Sequence, residues 1–131
     1  MDKNFGKIKE YLLELEYSIT STDEKEGIFL VDNEEAGIKN LIIDCEDPIL
    51  VLEQFLFELK EGNAEIYQSL LKMNRELVHG AFVLDETGKK VIFRDTLQIE
   101  NIDLNELEGS LNALALLLSE YTNELIDFSK K

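Results

Sequence analysis

Residues 78–118 constrain the fold more than any other stretch of this chain. Two runs rich in β-branched and aromatic side chains, from His79 to Leu84 and from Val91 to Leu97, flank Asp85-Glu86-Thr87-Gly88, a turn that ends in glycine. Extended runs of this length around such a turn predict a β-hairpin. Shortly afterwards comes Asp103-Leu104-Asn105-Glu106, where an Asp and a Glu three residues apart suit reciprocal capping of a helix start. Leu104, Leu107, Leu111, Leu114, Leu118 and Tyr121 then recur at helical spacing, and Leu116 and Leu117 widen the stripe beyond a single seam. The terminal helix therefore carries apolar surface to spare.

The N-terminal third predicts a helix followed by two strands. From Asn4 onward, Ile8, Tyr11, Leu12 and Leu15 recur at three- and four-residue steps with Lys7, Lys9, Glu10, Glu14 and Glu16 between them, the pattern of an amphipathic helix. The polar run from Thr20 to Gly27 predicts a loop, and Ile28-Phe29-Leu30-Val31 a short strand of high β preference. Asp32-Asn33-Glu34-Glu35-Ala36-Gly37 has the chemistry of a turn joining antiparallel strands. In the second strand, residues 38–45, alternation sets Leu41, Ile43 and Cys45 on one face and Ile38, Asn40, Ile42 and Asp44 on the other.

Asp47-Pro48 predicts a helix start, with the Asp as cap and the proline where its missing N–H costs nothing. Leu52, Phe55, Leu56 and Leu59 would line one side of that helix. Glu61-Gly62-Asn63 interrupts the pattern before Ile66, Leu70, Met73 and Leu77 resume it, so two consecutive helical pieces are expected. In the second strand of the hairpin, Val91, Phe93 and Leu97 share a face with Asp95, while Ile92, Arg94, Thr96 and Gln98 share the exposed one. The predicted order is α-β-β-α(α)-β-β-α, an α+β fold with an antiparallel sheet and helices on one face. With 131 residues and no linker rich in Gly, Pro or Ser, one domain spanning residues 1–131 is expected.

Charge narrows the partners. Thirteen basic against 28 acidic residues give a net charge of -15, which repels nucleic acid and anionic membrane alike. One cysteine, Cys45, cannot form an intrachain disulfide, no signal peptide is visible, and no apolar run approaches the roughly 20 residues of a membrane span. A cytoplasmic protein is expected. The chain has no glycine-rich phosphate loop, nucleotide fingerprint, zinc spacing or calcium loop, so no cofactor is expected. His79 has no serine or cysteine near it in sequence to suggest a nucleophile and base. Asp44, Glu46 and Asp47 offer oxygen ligands to a hard cation, but Asp47 is already explained as a cap and clustered acids are common in so acidic a chain. No metal site follows, and the chain is read as not an enzyme.

Asn74, Arg75, the strand His79-Gly80-Ala81-Phe82-Val83-Leu84-Asp85, the strand Val91-Ile92-Phe93-Arg94 and the leucine-rich terminal helix resemble the YbjN family, whose fold is similar to that of the type III secretion chaperones. The similarity spans nearly the whole chain. It implies a small, acidic, cytoplasmic homodimer that holds an extended segment of a client protein against its sheets and helices, and it carries over no catalytic residue.

The leading expectation is therefore a non-enzymatic, chaperone-like adaptor that binds a protein segment as a homodimer. A regulatory domain sensing a small ligand is the alternative. A small hydrolase built on Asp44, Asp47 or His79 and a polyanion mimic rank below both. Partner binding is expected on the mixed sheet face, with Ile38, Ile42 and Ile92 giving apolar contact and Asn40, Arg94 and Thr96 polar contact around it. These residues alternate with Leu41, Ile43, Val91 and Phe93, which are assigned to the core covered by helices.

Overall fold

The hairpin and the capped helix are both present in the computed structural model, which describes residues 3–60 and 63–131. The chain runs α1 (Lys3–Glu14), β1 (Ser18–Asp23), β2 (Ile28–Asn33), β3 (Ile38–Glu46), β4 (Ile49–Glu58), α2 (Ala64–Asn74), β5 (Ala81–Leu84), β6 (Lys90–Gln98) and α3 (Leu104–Lys130). All strands join one six-stranded sheet in the order β1-β2-β3-β4-β6-β5, and every neighbouring pair is antiparallel. The α+β class and the antiparallel sheet stand as predicted, while the element order gains two strands and loses a helix.

The first correction is β1. The polarity of Thr20 to Gly27 predicts loop, yet Ser18–Asp23 is an edge strand and only the residues after it turn. Ile19, Thr20 and Thr22 are β-branched, and an edge strand with little cover needs no apolar alternation. At the bulge between Ile19 and Ser21, the Thr20 hydroxyl donates to the Leu30 carbonyl at 3.1 Å.

The second correction is β4, which replaces the helix expected after Asp47-Pro48. That dipeptide is instead the turn between β3 and β4, and the Pro48 carbonyl accepts from the Ile99 amide at 3.0 Å. Leu50, Leu52 and Gln54 are buried at alternate positions, and a bulge between Phe55 and Phe57 then adds one residue, so Phe57 and Leu59 are buried too. A strand with one bulge and apolar residues on both faces spaces its leucines much as a helix does. The second helical piece does form as α2, capped by Asn63, whose Oδ1 accepts from the amides of Glu65 (2.9 Å) and Ile66 (3.3 Å). Of the expected interruption before it, Glu61 and Gly62 lie outside the described residues.

The register builds the inner face in rows: Phe29, Ile43 and Leu52; Cys45, Leu50 and Leu97; Gln54, Phe93 and Phe82. Side chains of all three helices meet this face in one buried cluster, including Ile8 and Leu12 of α1, Ile66 and Leu70 of α2, and Leu107, Leu111 and Leu114 of α3. Phe5 of α1 stacks on Phe29 with ring centroids 4.2 Å apart. Truncating one of these fully buried side chains to alanine costs about 2–5 kcal/mol. Asp95 lies opposite Leu52 on this inner face, as its alternation with Phe93 predicts. Its Oδ2 accepts from the buried Ser110 hydroxyl of α3 at 2.6 Å and its Oδ1 from the Thr96 amide at 2.9 Å, so the carboxylate pins the helix to the sheet.

Candidate functional site

Because the helices gather on the inner face, the opposite face of the sheet is left open. Across it the register sets Leu30, Ile42, Glu53, Arg94 and Ala81 side by side in one row. A second row is Ile28, Asp44, Val51 and Thr96, and a third is Phe55, Ile92 and Val83. Ile42 is 43% exposed and Phe55 54%. Large apolar side chains in contiguous rows on an uncovered sheet are the mark of a contact surface.

Of the six residues expected here, Ile42, Ile92, Arg94 and Thr96 share this outer face, and Ile38 does not. One residue of β2, Asp32, lies between the pairs Val31–Leu41 and Asn33–Ile38 where β3 has two, Lys39 and Asn40, so β3 is bulged at this point. Asn40 takes up the extra residue at φ 54°, and its amide donates to Asp32 Oδ1 at 2.8 Å. Beyond the bulge the alternation inverts, and Ile38 turns into the core with Leu41. Asn40 itself is exposed at the rim of the face.

The face is apolar with an acidic bias. Arg94 Nη1 donates to Glu53 Oε1 at 2.7 Å, the one ion pair among the described residues. Both partners are partly exposed, so the pair orders the row more than it stabilises the fold. No cation among the described residues pairs with Asp44. Burial raises its carboxyl above the usual range, and the charges of Glu46, Glu26 and Glu53 add to the effect. Beyond Arg94 a groove of about 570 Å³ continues over Ile92 and Val83 to the hairpin turn, bordered by Glu53, Asp85 and Glu86. The Thr87 hydroxyl and the amides of Lys90 and Lys89 hold the Asp85 carboxyl below its ordinary value.

The central strand of this surface is the part that sequence reasoning misses. Val51, Glu53 and Phe55 lie on β4, where a helix is predicted, although Ile49, Val51, Phe55 and Phe57 at alternate positions after a proline are a β signal. Asn74 enters the sequence pattern through the family resemblance alone. It accepts from the Phe82 amide at 2.7 Å and donates to the Phe82 carbonyl at 3.2 Å, closing the free edge of β5 as a neighbouring strand would. His79 sits beside Gly109 of α3, and no group of three His, Cys, Asp or Glu among the described residues is placed to hold a metal. Among the same residues no helix is long and apolar enough to cross a membrane.

This α+β arrangement of one six-stranded antiparallel sheet and helices matches the fold of the type III secretion chaperones. The chain matches the CesT_Tir_1 family model over residues 1–131 and belongs to that family, which is one of non-enzymatic chaperones. Among solved structures, YbjN from E. coli, a candidate transcription regulator, is similar with a TM-score of 0.71 at 12% identity, covering 92% of each chain. The HopA1–SchA chaperone–effector complex gives 0.63 at 14% identity over 100% of this chain and 99% of that one. The Yersinia pestis secretion chaperone SycH, solved with a fragment of YscM2, gives 0.59 at 16% identity over 97% and 100%. At these identities the likeness is one of fold. Among curated proteins none matches the chain at a significant level.

Proposed function

We propose that this protein is a chaperone-like adaptor, a single cytoplasmic domain that holds a segment of a protein client on the outer face of its sheet. The observation that carries the reading is the uncovered surface of Leu30, Ile42, Phe55, Ile92 and Val83 on a rigid sheet. Family membership supports it, as do the similar chaperones solved with protein partners. Ile42, Ile92, Arg94 and Thr96 belong to the proposed contact, and Asn40 stands at its rim. We further propose a homodimer, because Leu71 (71% exposed), Val78 and Leu116 leave apolar surface uncovered away from this face.

The test is capture of the client from the source cell, with its identity and stoichiometry determined, by the wild type and by Ile42→Ser and Ile92→Ser. Both variants should keep the circular dichroism of the wild type and lose at least tenfold in affinity for the purified client. Undiminished binding by both folded variants would remove this face from the site.

A ligand-sensing regulator is the second reading. It is favoured by a half-open apolar pocket between α2 and β5, lined by Tyr67, Leu70, Leu71, Phe82, Val83 and Leu84. Its volume of about 280 Å³ falls just below the range of small-molecule sites. A metabolite that raises the melting temperature of the pure protein would promote this reading over the first, because a ligand of the native state stabilises it.

A further inference from the structure

We infer that the segment held on the outer face presents an arginine or lysine among apolar residues, its cation over Asp44 and an apolar side chain over Ile42. This rests on the adaptor reading and specifies the chemistry of the client.

Asp44 and Ile42 are alternate residues of β3 on one face, roughly 7 Å apart. Asp44 is framed by Ile28 of β2 and Val51 of β4, so its carboxylate stands in an apolar row instead of at a solvated rim. Partial burial raises its pKa, and Glu46, Glu26 and Glu53 all act on it with the same sign. No cation among the described residues reaches it, since Arg94 is committed to Glu53. The groove beyond Arg94 repeats the theme, with an apolar floor of Ile92 and Val83 between Glu53 and Glu86.

Charge decides between occupants. A second copy laid on this face would bring acidic surfaces together from two chains of net charge -15, and juxtaposed like charges select against that pairing. Nucleic acid and anionic lipid meet the same repulsion. A purely apolar segment would bury Asp44 further without a partner, the costly case for a carboxylate. A segment with one cation flanked by apolar residues satisfies both the rows and the acid. Lying along β3, it would place them two residues apart.

Two fluorescein-labelled peptides test this with the full-length protein. In one, valine and arginine alternate between serines; its twin has citrulline for arginine, which keeps the shape and removes the charge. The arginine peptide should bind at least tenfold more tightly than its twin. Asp44→Asn should erase that difference by weakening the arginine peptide alone, and this variant should fold, since it removes one acid from a repelling group. Equal binding of the two peptides, an unchanged arginine-peptide affinity in Asp44→Asn, or no binding of it at millimolar concentration would each overturn the inference. If the peptides bind equally and Ile42→Ser abolishes both, the adaptor reading of this face survives without the basic residue. If folded Ile42→Ser holds the purified client as well as the wild type, the reading of the face fails with it.

Discussion

A methyl group at position 80 has nowhere to go. Gly80 takes φ +77°, and a Cβ there would lie 2.5 Å from Cε1 and Cζ of Phe93 and 3.1 Å from the Arg94 carbonyl oxygen. Phe93 is fully buried and cannot swing aside. Gly80→Ala should therefore cost about 2–4 kcal/mol, the sum of left-handed strain and overpacking. Urea denaturation measures it, and a loss below about 1 kcal/mol would show that the hairpin entry yields. At Asp44 the sign is the opposite. Its folded-state pKa is raised, so the native state binds the proton more tightly than the unfolded chain, and stability falls as pH rises through the carboxylate range. Asp44→Asn removes that penalty: its melting temperature should exceed that of the wild type at neutral pH, and the gain should shrink on acidification through the carboxylate range. A gain that grows on acidification would rule out burial and like charge as the origin of the shift. The identity of Asp44 as an outward residue is legible from alternation, whereas the inversion at Ile38 is not. Nothing in Lys39-Asn40 announces a bulge except an asparagine, which tolerates positive φ better than most residues.

Among the elements, β5 depends most on a single side chain. It is four residues long and ends the sheet, and the amide and carbonyl of Phe82 point to Asn74 of α2. Asn74→Ala leaves two backbone groups unpaired in a half-buried place and should cost about 1–3 kcal/mol. It also opens a strand edge, so light scattering on heating should show earlier aggregation than in Asn63→Ala, which removes only a helix cap. Comparable behaviour of the two variants would deny Asn74 its role at the edge. The hairpin, α1, α2 and α3 are legible in the sequence because each has one dominant period. The strand β4 is not, because its outward residues Ile49, Val51 and Phe55 are as apolar as its inward ones and its bulge breaks the alternation. The strand β1 escapes for the opposite reason, having almost no apolar residue to alternate. In both, tertiary pairing decides against the reading that the local pattern favours. Since β4 runs through the middle of the outer face, Val51, Glu53 and Phe55 of the candidate site are hidden with it.

At the scale of the whole molecule, charge separates the two associations proposed for this chain. Two copies of net charge -15 repel each other, so the proposed dimer has to be held by apolar surface. Salt shortens the Debye length from about 30 Å at 0.01 M to about 8 Å at 0.15 M, which weakens the repulsion and leaves apolar burial nearly untouched. Dimerisation should therefore strengthen with added sodium chloride. The basic client segment gains from the same field that the copies suffer, so its affinity for the outer face should fall over the same range, chiefly through slower association. Sedimentation velocity for the first equilibrium and anisotropy of the arginine peptide for the second, in one salt series, give two slopes of opposite sign. The citrulline twin should show almost no slope, because it offers nothing for the acids to attract. Client binding that strengthens with salt would mean that the outer face works by apolar contact alone. A dimer that weakens with salt would mean that it is joined by ion pairs between copies, using cations such as Lys72 or Arg75 on α2 and in the turn that ends it rather than the exposed apolar residues.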